Sequence, residues 1–115
     1  MFPMPSPHMP SIAVRRALVK LGSDLREARL RRSLPADVVA SRAFTTRPTL
    51  RRIEAGDPGV GIGIYAAVLQ AMGMLDGLGV LADPGSDKTG QLLSADALPK
   101  RARIKRRKTS MRENG

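Results

Sequence analysis

The sequence predicts an all-α domain of five short helices, set between a proline-rich start and a strongly basic end. Three observations carry this expectation. Apolar residues recur at spacings of three and four, no stretch alternates with the strand period of two, and turn or cap residues separate the periodic stretches. The 115 residues suit one domain of common size and leave no room for a second large core. The expected organisation is a disordered proline-rich segment over 1–10, a helical domain over 11–82, a loop or linker over 83–99 and a disordered basic tail over 100–115.

Pro3, Pro5, Pro7 and Pro10 remove backbone donors from a segment with little to bury, so 1–10 is expected to stay disordered. The first helix begins at Ser11, and Leu18, Leu21, Leu25 and Ala28 line one face of it. Gly22 weakens its middle and allows a kink or a two-piece helix. Arg26, Arg29, Arg31 and Arg32 crowd its end, where cations suit the helix dipole. Pro35 fits the first turn of the second helix, whose stripe is Val39, Ala40 and Ala43. Thr46 is a good N-cap for the third, Pro48 is tolerated in its first turn, Leu50 and Ile53 face inward, and Ala55-Gly56 ends it. Asp57-Pro58-Gly59 is a turn. Ile62, Tyr65, Ala66, Leu69 and Met72 mark the fourth helix, and Leu75, Leu78, Leu81 and Ala82 the fifth. Residues 83–99, with Asp83-Pro84-Gly85 and a weak apolar patch at Leu92-Leu93, read as a loop.

Composition excludes much. With no Cys there is no disulfide framework, zinc finger or thiol nucleophile. His8, the single histidine, lies among prolines that no rigid scaffold holds easily, so a triad mechanism has no base and no enzyme is expected. Asp83 and Asp87 lack a third ligand, and Gly59-x-Gly61-x-Gly63 lacks the strand and the Lys-Ser/Thr ending of a phosphate loop, so neither a metal nor a cofactor is expected. Three aromatic residues are too few for single-strand stacking platforms. No apolar run reaches the ~20 residues of a membrane span, and the start lacks the pattern of a signal peptide. A cytoplasmic protein without membrane partners is therefore expected.

The net charge of +10 is unevenly placed. Residues 1–99 hold twelve basic and nine acidic groups, whereas 100–115 hold eight basic groups against Glu113. Such a basic balance points to a polyanion. In the tail, Lys100, Arg101, Arg103, Lys105, Arg106, Arg107 and Lys108 repel one another in isolation and suit an arm that grips DNA phosphates or a minor groove.

Two short helices about four residues apart, the second carrying arginines outward, form a helix-turn-helix pattern. The major groove accepts an α-helix, whose N-terminal side chains reach base edges. The outward set of the third helix is Arg47, Pro48, Arg51 and Arg52, while Thr46 and Thr49 suit phosphate contacts near its start.

The stretch LPADVVASRAFTTRPTLRRIEAGDPGVGIGIYAAVLQAMG resembles the Cro/repressor-type (XRE) helix-turn-helix domain, over about residues 20–82. Its most specific part is Thr46-Arg47-x-Thr49-Leu50-x-Arg52-Ile53-Glu54-x-Gly56. The resemblance implies a lambda-repressor-like fold, with Thr46, Arg47 and Pro48 facing bases or adjacent phosphates and Arg52 pointing into the groove. It also implies a partly buried ion pair between Arg29 and Glu54, locking the first helix to the third. Ala36 stands where the family usually has Gln, Phe44 where it usually has Gly, and Pro48 where a residue often reads a base.

LGSDLREAR, IEAGDPGV, YAAVL, LADPGSD and LPKR are similar to segments of HipB-type antitoxins. That likeness implies a homodimer that represses its own operon on double-stranded DNA and binds a HipA-like kinase toxin. Residues 69–82 are the expected dimer surface, since they are more apolar than so small a core needs. Two other functions are weighed: an interaction protein that chiefly neutralises the kinase, and a basic nucleic-acid-binding protein without sequence choice.

Overall fold

The computed structural model describes residues 9–105, the last nine of them as backbone. The described residues are all-α, with six helices and no strand. They divide into two compact units, one running to Leu78 and the other starting at Gly79.

In the first unit, α1 (Ile12–Arg31) is capped by Ser11, whose side chain accepts from the Val14 N–H. It runs as one helix through Gly22. The glycine that suggested a kink is instead a packing device. A Cβ there would strike the backbone of Ile53, Glu54 and Gly56, and one on Gly56 would strike the backbone at Leu18 and Val19. Two missing side chains thus let α1 approach the end of a third helix backbone to backbone. Gly56 also holds φ +78°, a conformation that disfavours any other residue.

After α1, Ser33 turns at φ +52° and Pro35 leads into α2 (Ala36–Arg42). Phe44 reverses the chain at φ +56°, and α3 (Arg47–Glu54) follows four residues after the end of α2. The Asp57-Pro58-Gly59 turn leads to α4 (Ile62–Ala71), which ends on Gly73 at φ +74°. The core is Leu25 and Ala28 of α1, Val39, Ala40 and Ala43 around α2, Leu50 and Ile53 of α3, and Val60, Tyr65, Val68 and Met72 around α4. Leu18 and Leu21 are half-buried, as are Ala66 and Leu69. Ile62, counted on the inward stripe of the fourth helix, is instead exposed. The buried face of α4 runs through Tyr65, Val68 and Met72, and leaves its first turn outside.

The expected fifth helix shrinks to the single turn α5 (Asp76–Gly79). Gly73, Gly77 and Gly79 stand within seven residues, each weakening a helix by about 1 kcal/mol. The second unit corrects the loop expected over 83–99. A 3-10 turn, Pro84–Ser86, is followed by α6 (Lys88–Lys105), which also takes in the start of the tail expected to be disordered. Strong helix formers (Leu92, Leu93, Ala95, Ala97 and Leu98) outweigh the breakers Gly90 and Pro99. Local bonds start the helix: Asp87 Oδ1 accepts from the Gly90 N–H, and Gln91 Nε2 donates to the Pro84 and Gly85 carbonyls. The Lys100–Lys105 segment lies at its C-terminal end, where the dipole favours cations. Residues 1–8, Arg106, Arg107, Lys108 and the rest of the tail lie outside the described residues. No described helix is long and apolar enough to cross a membrane.

Candidate functional site

Local chemistry sets α3 before packing orients it. Thr46 caps it: its hydroxyl oxygen accepts from the Thr49 N–H at 3.3 Å and donates to Thr49 Oγ1 at 3.1 Å. Pro48 falls in the first turn, where no N–H is required. Leu50 and Ile53 are fully buried, so the helix rotation is decided. That rotation exposes Arg47, Pro48, Arg51 and Arg52, while Thr49 and Glu54 flank the buried stripe half-buried.

Orientation about the helix axis is held by Arg29. Its Nε donates to Glu54 Oε2 at 2.7 Å and its Nη2 to Glu54 Oε1 at 3.0 Å, a bidentate pair whose side chains are only 11% and 10% exposed. Its Nη1 donates to the Leu34 carbonyl at 3.1 Å. One guanidinium thereby ties α1 to the segment entering α2 and to the last turn of α3. Hydrogen bonding to the Glu54 carboxylate drives the Arg29 pKa above its ordinary value, outweighing burial. The pair is geometrically ideal for two desolvated charges, and removing either partner would strand the other.

Arg52 is exposed but already engaged: its Nε donates to Asp57 Oδ2 at 2.7 Å. Asp57 also accepts from the Gly59 N–H at 2.7 Å, and the Tyr65 hydroxyl donates to the Asp57 carbonyl at 2.8 Å. Arg52, and then the Gly59 N–H, hold the Asp57 carboxyl below the usual carboxylate range. Burial, with Asp57 nearby, pushes the Tyr65 hydroxyl up. So the turn after α3 braces Arg52, and of the three arginines on α3 it alone makes an ion pair among the described residues.

No protein family, curated protein or solved structure matches this chain.

The structure brings Thr46, Arg47, Pro48, Thr49, Arg51 and Arg52 onto one helix, with Arg29 and Glu54 behind it. It does not bring the tail residues Lys100, Arg101, Arg103 and Lys105 into that unit; they lie on the backbone of α6. Two features escaped the sequence reading. One is the Arg52–Asp57 brace, for which the Asp-Pro-Gly turn five residues on was the available signal. The other is the exposure of Phe44, already singled out as a departure from the usual Gly: the residue is 97% exposed at the turn between α2 and α3. Among the described residues no cluster of three or more His, Cys, Asp or Glu side chains has the geometry to hold a metal ion.

Proposed function

We propose that the chain is a sequence-specific, double-stranded-DNA-binding transcriptional repressor, built on a Cro/repressor-type helix-turn-helix formed by α2, the Ala43–Thr46 turn and α3. One observation carries the reading: α3 turns three arginines and the N-cap end outward, while buried contacts and the Arg29–Glu54 pair fix its rotation. A rigid helix with a cationic outer face fits a major groove. Labour divides by position. Arg47, at the start of α3, and Arg52, aimed by Asp57, suit guanine O6 and N7; Arg51, the Thr46–Thr49 end and the basic tail suit phosphates. The protein acts as a homodimer, because one such helix reads only a few base pairs, and its half-sites lie about 34 Å apart. In this reading it resembles a HipB-type antitoxin that controls its own operon, in the cytoplasm and without a catalytic role.

Selection of bound duplexes from a random pool tests this. The expected result is an enriched two-fold-symmetric motif, lost in Arg47→Ala at roughly 1–3 kcal/mol per discriminated base. Recovery of unrelated sequences would leave only binding without sequence choice.

A second reading has its own support. Ile12, Val14 and Val19 of α1 are exposed, as are Val80, Leu81, Leu92 and Leu93 in the second unit. On this reading a protein partner covers these side chains. A HipA-like kinase fits the antitoxin reading, with DNA binding secondary; co-purification with such a kinase at fixed stoichiometry tests it.

A further inference from the structure

Phe44 stands where the chain reverses between α2 and α3, two residues before the N-cap of the helix that carries the arginines. The reversal itself needs no side chain. Ala43, Phe44 and Thr45 donate their N–H groups to the Val39, Ser41 and Ala40 carbonyls at 2.9, 3.1 and 2.9 Å. A glycine would make the same bond at position 44 without strain. At φ +56° the phenylalanine is held instead in the left-handed region, which a bulky side chain disfavours. The residue is nonetheless 97% exposed, so no packing within the described residues offsets that strain. A strained residue that covers nothing of its own fold has its use in a contact outside it.

The surroundings of the ring select what covers it. Between Asp37 and Glu54 the chain has four arginines and no acidic residue. Arg42, two residues before the ring, and Arg47, three after it, are exposed and make no ion pair among the described residues. An apolar protein surface could take the ring only by crowding against two unpaired guanidinium groups. A DNA major groove offers the complement: phosphates along its edges for the arginines, and on its floor one apolar group, the C5-methyl of thymine. We propose that Phe44 covers a thymine methyl and is thereby a specificity-determining residue outside the reading helix. This rests on the DNA reading above and deepens it, since the arginines of α3 suit guanine and leave thymine unread. Glycine, usual at this position in the family the stretch resembles, has no side chain with which to make the contact.

The test starts from the motif that the full chain enriches from a random duplex pool, which is expected to hold thymine at one fixed step of each half-site. In synthetic duplexes of that motif, each thymine is replaced in turn by deoxyuridine. The exchange removes the methyl and leaves every hydrogen-bonding group in place. At one step per half-site the parent binds the uracil duplex roughly 4-fold more weakly, the transfer value of one buried methyl. Phe44→Gly and Phe44→Asn both suit a positive φ and keep the fold. Each binds the thymine and uracil duplexes alike, at about the parent's affinity for the uracil duplex.

Undiminished discrimination in both variants would assign the methyl to another side chain and overturn the proposal. An equal loss on thymine and uracil duplexes would overturn it too, by placing the ring against sugar rather than base. A parent indifferent to every deoxyuridine refutes the contact while the DNA reading stands. A parent that binds no duplex defeats the DNA reading and the ring's role with it, so the two failures are told apart by whether the parent binds at all.

Discussion

Phe44 carries two costs at one position. A bulky residue at φ +56° is strained by about 1–2 kcal/mol, and its ring stands 97% exposed in the turn before α3. Neither cost is recovered by packing of the ring among the described residues. Phe44→Gly is therefore expected to stabilise the protein by up to about 1 kcal/mol, after the entropy that glycine adds to the unfolded chain. Urea midpoints check this, and a loss of stability would mean that the ring packs in solution. Asp57 makes a pH-dependent contribution whose sign follows from its depressed pKa. The stabilisation is fully present above the unfolded carboxyl value of about 3.9 and is lost as pH falls through the lower folded value. Parent and Asp57→Asn should thus differ most near neutral pH and converge once the pH falls below the depressed folded value. Equal midpoints at both ends of that range would remove Asp57 from the account.

At the scale of elements, the α1–α3 contact depends on glycine rather than on side-chain interlock. Gly22 and Gly56 each lie where a Cβ would meet the other helix's backbone. Helix propensity alone says that Gly22→Ala stabilises α1 by about 1 kcal/mol. The tertiary contact says that it destabilises the domain by about 1–3 kcal/mol, since backbone cannot yield as a flexible side chain does. The second outcome is expected in chemical denaturation, and the sign decides between them. The same contact brings Glu54 within reach of Arg29, so moving α1 outward also disturbs the pair that sets the rotation of α3. Sequence periodicity located α1 to α4, because each has a stripe at spacings of three and four. It misplaced Ile62 and passed over Val68, because a stripe gives the face of a helix but not how far along that face its neighbours extend.

For the whole molecule, charge is concentrated at the C-terminal end, where eight basic groups oppose one acidic group over 100–115. On the proposed reading, deletion of 100–115 weakens binding to all duplexes alike and flattens the salt slope without altering the selected motif. Binding measured at several salt concentrations, on matched and unmatched duplexes, checks this. A changed motif with an unchanged slope would exchange the roles given to the tail and α3. Dimerisation belongs to the same scale: sedimentation without DNA is expected to show a dimer by high micromolar concentration. A monomer there would withdraw residues 69–82 as the dimer surface.

From sequence alone came the all-α class, the four helices of the first unit, most of its core and the outward arginines of α3. Each is encoded locally, in apolar spacing, in the Thr46 cap or in the glycine that ends a helix. Tertiary structure alone decided that Gly22 is a contact rather than a hinge, that Arg52 is braced by Asp57, and that Arg26 joins Arg47 and Arg51 around one cavity. Those relations join residues by distance in space and by the absence of a side chain, and neither leaves a period in the chain. The helical character of residues 88–105 was missed for a different reason: several strong helix formers acting together outweighed two conspicuous breakers.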